Sequence, residues 1–255
     1  MREESIMWWW EYSHDGPGFT MFGPAHILVI ISLVIACTFV VLARNGLKQS
    51  VKKQHFFRFG CVFIFLAGEV LLQIWYIDAG AWDSSFAFPL HLSSIAWIAA
   101  IFMLLTRGQT WFEITFFVGT GSAFLTILTP DVGGYGFPHF RFFHFFITHA
   151  LVIVAVVYML AVEKMQLRLR SVFRVWLYLN GYAAVMFVFN LWVDGNYMYL
   201  MEKPPGPSPF DWFGPWPYYI FVLQVVALLV FIVMYALYRW LLSRKTPSSV
   251  NKRSP

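Results

Sequence analysis

Charge is what this chain has least of. Asp, Glu, Lys and Arg make up 12% of its 255 residues, against 59% hydrophobic and 20% aromatic residues, a balance that cannot cover a folded surface in water and excludes an ordinary soluble protein. Cysteine is nearly absent: Cys37 and Cys61 are the two. Both fall inside apolar segments, which excludes a disulfide-built scaffold and leaves them as buried apolar fillers. Long polar stretches are missing too, so no separate soluble domain is expected. The N-terminus opens with Glu3 and Glu4 rather than a basic region, a short apolar stretch and a cleavage site. No removable signal peptide is therefore expected, and the first apolar segment serves as its own insertion signal.

Seven apolar segments fill the chain instead: about Phe22 to Ala43, Phe57 to Ile77, Phe86 to Leu105, Trp111 to Thr129, Phe142 to Val162, Val172 to Val193 and Tyr218 to Leu242. Each is long enough as a helix to cross roughly 30 Å of hydrocarbon. None alternates with period two, which argues for helices over a barrel. The expected fold is all-α: one polytopic bundle of seven transmembrane helices over residues 1–255, multi-pass in the cell membrane.

The basic residues fall in alternate gaps. Arg44, Lys48, Lys52, Lys53 and Arg58 follow the first segment, Arg107 the third, and Lys164, Arg168, Arg170 and Arg174 the fifth. Arg239, Arg244, Lys245, Lys252 and Arg253 end the chain, and only Arg2, Arg141 and Lys203 lie in the other gaps. With fifteen of eighteen on one side, the positive-inside rule puts the N-terminus outside and the C-terminus in the cytoplasm. The formal net charge of +5 is then a matter of topology and anionic lipid, not a footprint for nucleic acid. Trp8-Trp9-Trp10 and the Trp216-Pro217-Tyr218-Tyr219 cluster read as interfacial anchors on the outer side. The Pro204 to Pro209 run reads as stiff and extended, a rigid connector or a strap across the outer mouth.

Ionisable and polar groups inside the segments are costly and gather toward that outer side. Counted inward at about 1.5 Å per residue, Ser94 below Phe86, His149 below Arg141 and Glu69 below Asp78 reach one level, roughly 12 to 14 Å down. Above it lie His26, Gln73, His91, His144, Asn190 and Asp194, with Asp78, Asp131, His139 and Arg141 at the rim. The pattern predicts a polar funnel opening outward. Pro89 is placed to start the third helix, so that His91 and Ser94, three apart, share a face while Ser93 points elsewhere. Either serine needs a base to act as a nucleophile, and His149 is the candidate at matching depth. The bland alternatives are serines bonded one turn back and a histidine in an interhelical hydrogen bond. A metal site is not expected, because His144 and His149, five apart, point about 140° from each other. Gly119-Thr120-Gly121-Ser122 reads as a break in the fourth segment, the kind of feature a transporter uses, although no inverted repeat accompanies it.

Several motifs carry a resemblance. Phe19-Thr20-Met21-Phe22-Gly23-Pro24-Ala25-His26, Pro89-Leu90-His91-Leu92-Ser93-Ser94, Leu128-Thr129-Pro130-Asp131, Phe146-Ile147-Thr148-His149 and Asn196-Tyr197-Met198-Tyr199-Leu200 with Lys203-Pro204 resemble the YwaF-type bacterial integral membrane proteins. The likeness runs in the same order over nearly the whole chain. That family is similar to a vertebrate phospholipid acyltransferase of the transmembrane-protein class, which moves a polyunsaturated acyl chain between phospholipids to build ether-linked species. There a cysteine early in the third span is thought to carry the acyl group, and many bacterial members have Pro-Leu-His-Leu-Cys; here Ser93 occupies that position. The resemblance implies Ser93 as acyl carrier with His149 as its base, or else loss of acyl transfer with lipid binding kept. The function expected is a membrane-embedded lipid acyltransferase or lipid esterase. Ser93 or Ser94, His149 and His91 would be catalytic, and Glu69, Gln73, His26, His144, Asn190 and Asp194 would contact substrate, with His91 or Asn190 donating to the oxyanion. The alternative is a non-catalytic binder or transporter of a small polar or amphipathic ligand. Membrane lipids are the expected partners, and no cofactor is expected.

Overall fold

A backbone surrounded by hydrocarbon must satisfy its own hydrogen bonds, and the apolar segments do so as helices. The computed structural model describes residues 8–12, 16–204 and 208–244. Its helices are α1 (Pro24–Lys48), α2 (Val51–Asp78), α3 (Leu92–Thr106), α4 (Gln109–Ile114), α5 (Gly121–Leu128), α6 (Phe140–Ala161), α7 (Leu169–Val193) and α8 (Tyr218–Ser243). A wider π-helical turn, Thr115–Thr120, joins α4 to α5, so that Gln109–Leu128 is one continuous rod. The break expected at Gly119 to Ser122 is therefore a change of winding within an unbroken rod. Local chemistry sets several ends. Pro24 opens α1 where a missing N–H costs nothing. The Ser50 hydroxyl accepts from the Lys53 N–H at the start of α2, and the His139 ring accepts from the Arg141 N–H at the start of α6.

Among the described residues six helices, counting the rod, are long and apolar enough to cross a membrane, rather than the seven expected. The exception is α3, whose 15 residues reach about 22 Å. Residues 86–91, expected as the first turns of the third span, fold into tight turns. Ala87 N–H donates to Asp83 O at 2.8 Å and Leu90 N–H to Phe88 O at 2.8 Å. The buried Tyr197 hydroxyl pins the stretch, donating to Ser84 O at 2.8 Å and accepting from Phe88 N–H at 3.1 Å. Pro89 sits inside these turns, and extended His91 (φ −66°, ψ 161°) precedes the first helical residue. Composition favoured a membrane helix here; contact with the Tyr197 turn decided otherwise.

Packing gives the bundle two distinct ends. At the aromatic end, Trp75 donates to Trp10 O at 2.5 Å, Trp10 donates to Asp78 at 3.0 Å, and Tyr135 donates to Tyr12 O. Gly18 and Tyr135 form an isolated antiparallel bridge, and the Asp83 carboxylate, held below its usual range by the Ser85 hydroxyl and N–H, closes the turn after α2. At the basic end, Arg58 of α2 donates to Leu104 O and Leu105 O, the last carbonyls of α3. Arg107 pairs with Glu163 at 3.7 Å, and Arg174 with buried Glu113 at 3.4 Å. Between the ends lies a core that includes Phe65, Ala100, Leu104, Phe117, Val152 and Tyr158. Helix α1 stands to one side, packing its Ala25, Val29 and Leu33 against Phe142 and Phe146 of α6. Pro209 opens a short 3-10 turn, Pro209–Phe213, after Ser208, so that end of the proline run is not extended. Pro205, Gly206 and Pro207 lie outside the described residues, as do Arg2, Glu3, Glu4, Lys245, Lys252 and Arg253.

Candidate functional site

Three close contacts fix the relative heights of the central helices. Phe65 of α2 stacks on Trp97 of α3, with ring centroids 6.4 Å apart. A Cβ on Gly68 would lie 3.5 Å from Thr148 Cγ2 and 3.7 Å from His144 Cδ2 of α6. One on Gly119 would lie 3.0 Å from Val152 Cγ1 and 3.5 Å from Ala96 Cβ. The absence of a side chain at these glycines lets α2, α3, α6 and the rod approach closely. Glu69, Ser93 and His149 each stand three or four residues from one of these contacts, toward the aromatic end. They share one layer, nine residues or about 13 Å below the end of α2 at Asp78.

Ser93 and Ser94 therefore sit in the first turn of a helix that begins inside the bundle, not several turns below a helix end. The His91 carbonyl accepts from Ser94 N–H at 2.9 Å and Ile95 N–H at 3.1 Å, while the His91 side chain makes no cap. Among the described residues, the N–H groups of Leu92 and Ser93 have no hydrogen-bond partner. The His91 ring instead meets Tyr197, centroids 4.8 Å apart. His149 donates from Nδ1 to Phe145 O at 2.6 Å, which makes Nε2 the bare, accepting nitrogen.

No hydrogen bond joins either serine to His149 among the described residues. Ser93 lies one turn before Trp97, which stacks on Phe65 of α2, while His149 lies two turns after Phe142, which packs with Ile127 of α5.

The remaining candidates divide. Gln73 is a hub: it donates to Glu69 at 2.6 Å and to Ala87 O at 2.8 Å, and accepts from Trp82 at 2.8 Å. His144 accepts from Arg141 at 3.3 Å beside Gly68. These groups form a polar seam between α2 and α6 that runs up from the layer. His26 lies apart. Its Nδ1 accepts from Phe22 N–H at 3.0 Å and its Nε2 donates to Ile127 O at 2.7 Å, so the ring ties α1 to α5 with no nitrogen to spare. Asn190 is likewise committed, donating to Tyr197 O at 3.0 Å and accepting from Tyr197 N–H at 2.8 Å. Asp194 ends α7 at φ 52° on the rim of a cleft of about 670 Å3 with Phe88, Leu90, Phe189 and Trp192. Ser84, Phe88 and Leu90 of the turns before α3 line this cleft, and the Tyr197 hydroxyl ties the same turns together.

The model of the TMEM164 family matches residues 21–235, from before α1 well into α8. The chain belongs to the TMEM164 family. No curated protein and no solved structure matches it. This TMEM164-family chain is thus a polytopic membrane protein, with six helices of membrane-crossing length among the described residues and a shorter α3 between them. Sequence reading missed what several residues do in tying the helices together. Arg58 counted only as one of the basic loop residues, Tyr197 only as part of a motif, and Glu113 was not singled out. The signal available was a charge seven residues inside α2, where a lone guanidinium demands acceptors.

Proposed function

We propose that this protein is a membrane-embedded lipid acyl-transfer enzyme, an acyltransferase or esterase, working at the start of α3. The N-terminus and the aromatic end face outward, and α3 completes seven helices in the cell membrane. The observation that carries the reading is a half-buried, uncapped helix start, with Ser93 in its first turn, near the level of His149 and Glu69. Likeness of the Pro89 to Ser94 motif to the YwaF-type Pro-Leu-His-Leu-Cys favours Ser93 over Ser94 as the nucleophile.

In this mechanism a phospholipid enters sideways through the cleft rimmed by Asp194, which draws its ester down toward Leu90 and α3. The His149 Nε2 takes the proton as Ser93 Oγ attacks the ester carbonyl. The two side chains meet when the substrate binds, as catalytic contacts often close only in the bound complex. The free N–H groups of Leu92 and Ser93, at the positive end of the α3 dipole, receive the developing oxyanion. Collapse breaks the ester, and His149 returns the proton to the departing lysolipid oxygen. The acyl group then passes from Ser93 to a lipid hydroxyl or to water. Purified protein in vesicles is expected to take a covalent label from a lipid-like fluorophosphonate, and Ser93→Ala to lose it. Labelling that survives in Ser93→Ala, or no label together with no lipid turnover, rejects the mechanism.

The lack of a hydrogen bond between either serine and His149 among the described residues favours a second reading, a non-catalytic carrier that uses Glu69, Gln73 and His144 as ligand or proton-coupling groups. It requires solute uptake driven by a proton gradient and lost in Glu69→Gln. Absence of such uptake removes it.

A further inference from the structure

Helix α1 touches the bundle mainly through α6, yet the two helices do not close along their whole length. An open cleft of about 850 Å3 lies between them, lined on α1 by Ala25, Ser32 and Ala36 and on α6 by Phe146, Ala150 and Val154. Small residues in membrane helices ordinarily let neighbours pack closely; here those of α1 line space. From Ala25 to Ala36 the cleft descends about 16 Å, close to half of a hydrocarbon core of about 30 Å. Its mouth is polar, made by Thr20 and by the backbone near Gly18 and Gly136. Phe19 N–H donates to Gly134 O at 3.1 Å there, and Gly136 N–H to Pro17 O at 3.0 Å.

We propose that this cleft is a seat for one acyl chain of a phospholipid from the leaflet at the aromatic end, with Ala36 and Val154 as its floor. The depth is close to one leaflet, the polar mouth lies at headgroup height, and below it the walls are apolar except for Ser32. At this depth hydrocarbon chains are the molecules available, and an empty cleft would forfeit dispersion contacts along both walls. The seat is separate from the Ser93 layer and stands whether or not that layer is catalytic. Filling its floor shortens the chain it accepts.

The test uses the full chain in phosphatidylglycerol vesicles doped with phosphatidylglycerol bearing a diazirine at the chain terminus. After irradiation, labelling at Leu33, Ala36 and Val154 is expected to exceed that at Ile27, Ile31 and Val34, on the opposite face of α1, by about tenfold, the ratio given by roughly 1.4 kcal/mol of preference. Ala36→Phe, and independently Ala150→Phe from the other wall, are expected to abolish that excess and shift co-purified phospholipid toward shorter chains, whereas Ser93→Ala leaves both unchanged. Even labelling around α1 means ordinary boundary lipid and overturns the proposal. So does an unchanged pattern in both filled variants.

Discussion

At the scale of single residues, the protein separates polar groups that hold structure from those left with capacity to act. Asn190 spends both ends of its amide on the Tyr197 backbone, and Tyr197 in turn pins the turns before α3. Asn190→Ala leaves a buried donor and a buried acceptor unmatched, a loss of about 2 kcal/mol, seen as a lower unfolding temperature in detergent. Ser93 has no such task. Ser93→Ala should fold with wild-type stability and lose lipid turnover. Ser93→Cys should keep turnover and become sensitive to iodoacetamide, since a thiol ionises far more readily than a hydroxyl. Ser94→Ala should change turnover by less than about threefold, under 1 kcal/mol. His26 shows why type and depth alone are ambiguous: both its nitrogens are engaged in joining α1 to α5. The sequence placed it beside residues that are not so engaged, because partners a hundred residues away cannot be read along the chain.

At the scale of elements, α3 is the part that departs most from expectation and the part on which the proposed mechanism rests. It is held at both ends: the Tyr197 turn folds back residues 86–91, and the Arg58 guanidinium satisfies the final carbonyls at Leu104 and Leu105. Arg58→Met should cost about 2 to 3 kcal/mol by orphaning those carbonyls, and Arg58→Lys should recover only part, because an ammonium cannot present the same planar fork. Turnover should fall in both more steeply than stability if α3 must sit at one height for Ser93 to work. At Gly119, where a Cβ would already crowd Val152 at 3.0 Å, Gly119→Val should cost about 1 to 3 kcal/mol through overpacking, measured by denaturation in detergent. Apolar runs bounded by caps are local features, which is why the other long helices were legible as elements. The start of α3 was not, because a sideways contact ended an apolar run that composition alone would have continued.

At the scale of the whole molecule, charge and packing describe the same two ends. Arg58, Arg107, Glu163, Arg174 and Glu113 meet at one of them, and the tryptophan- and tyrosine-rich loops meet at the other. With Cys37 and Cys61 replaced by Ala, Asp131→Cys should react with an impermeant maleimide in intact cells, and Lys53→Cys only after permeabilisation. The reverse pattern would invert the proposed orientation.

The sequence by itself determined the membrane class, the helical fold and the alternation of basic gaps. These depend on composition and on the fixed rise of a helix, both of which are local. Only the tertiary structure decided that α3 is short, that its start is held by the turns Tyr197 pins, and that no hydrogen bond joins Ser93 to His149 among the described residues. Those outcomes rest on which helices lie side by side and in which direction they run, and no stretch of chain carries that information alone.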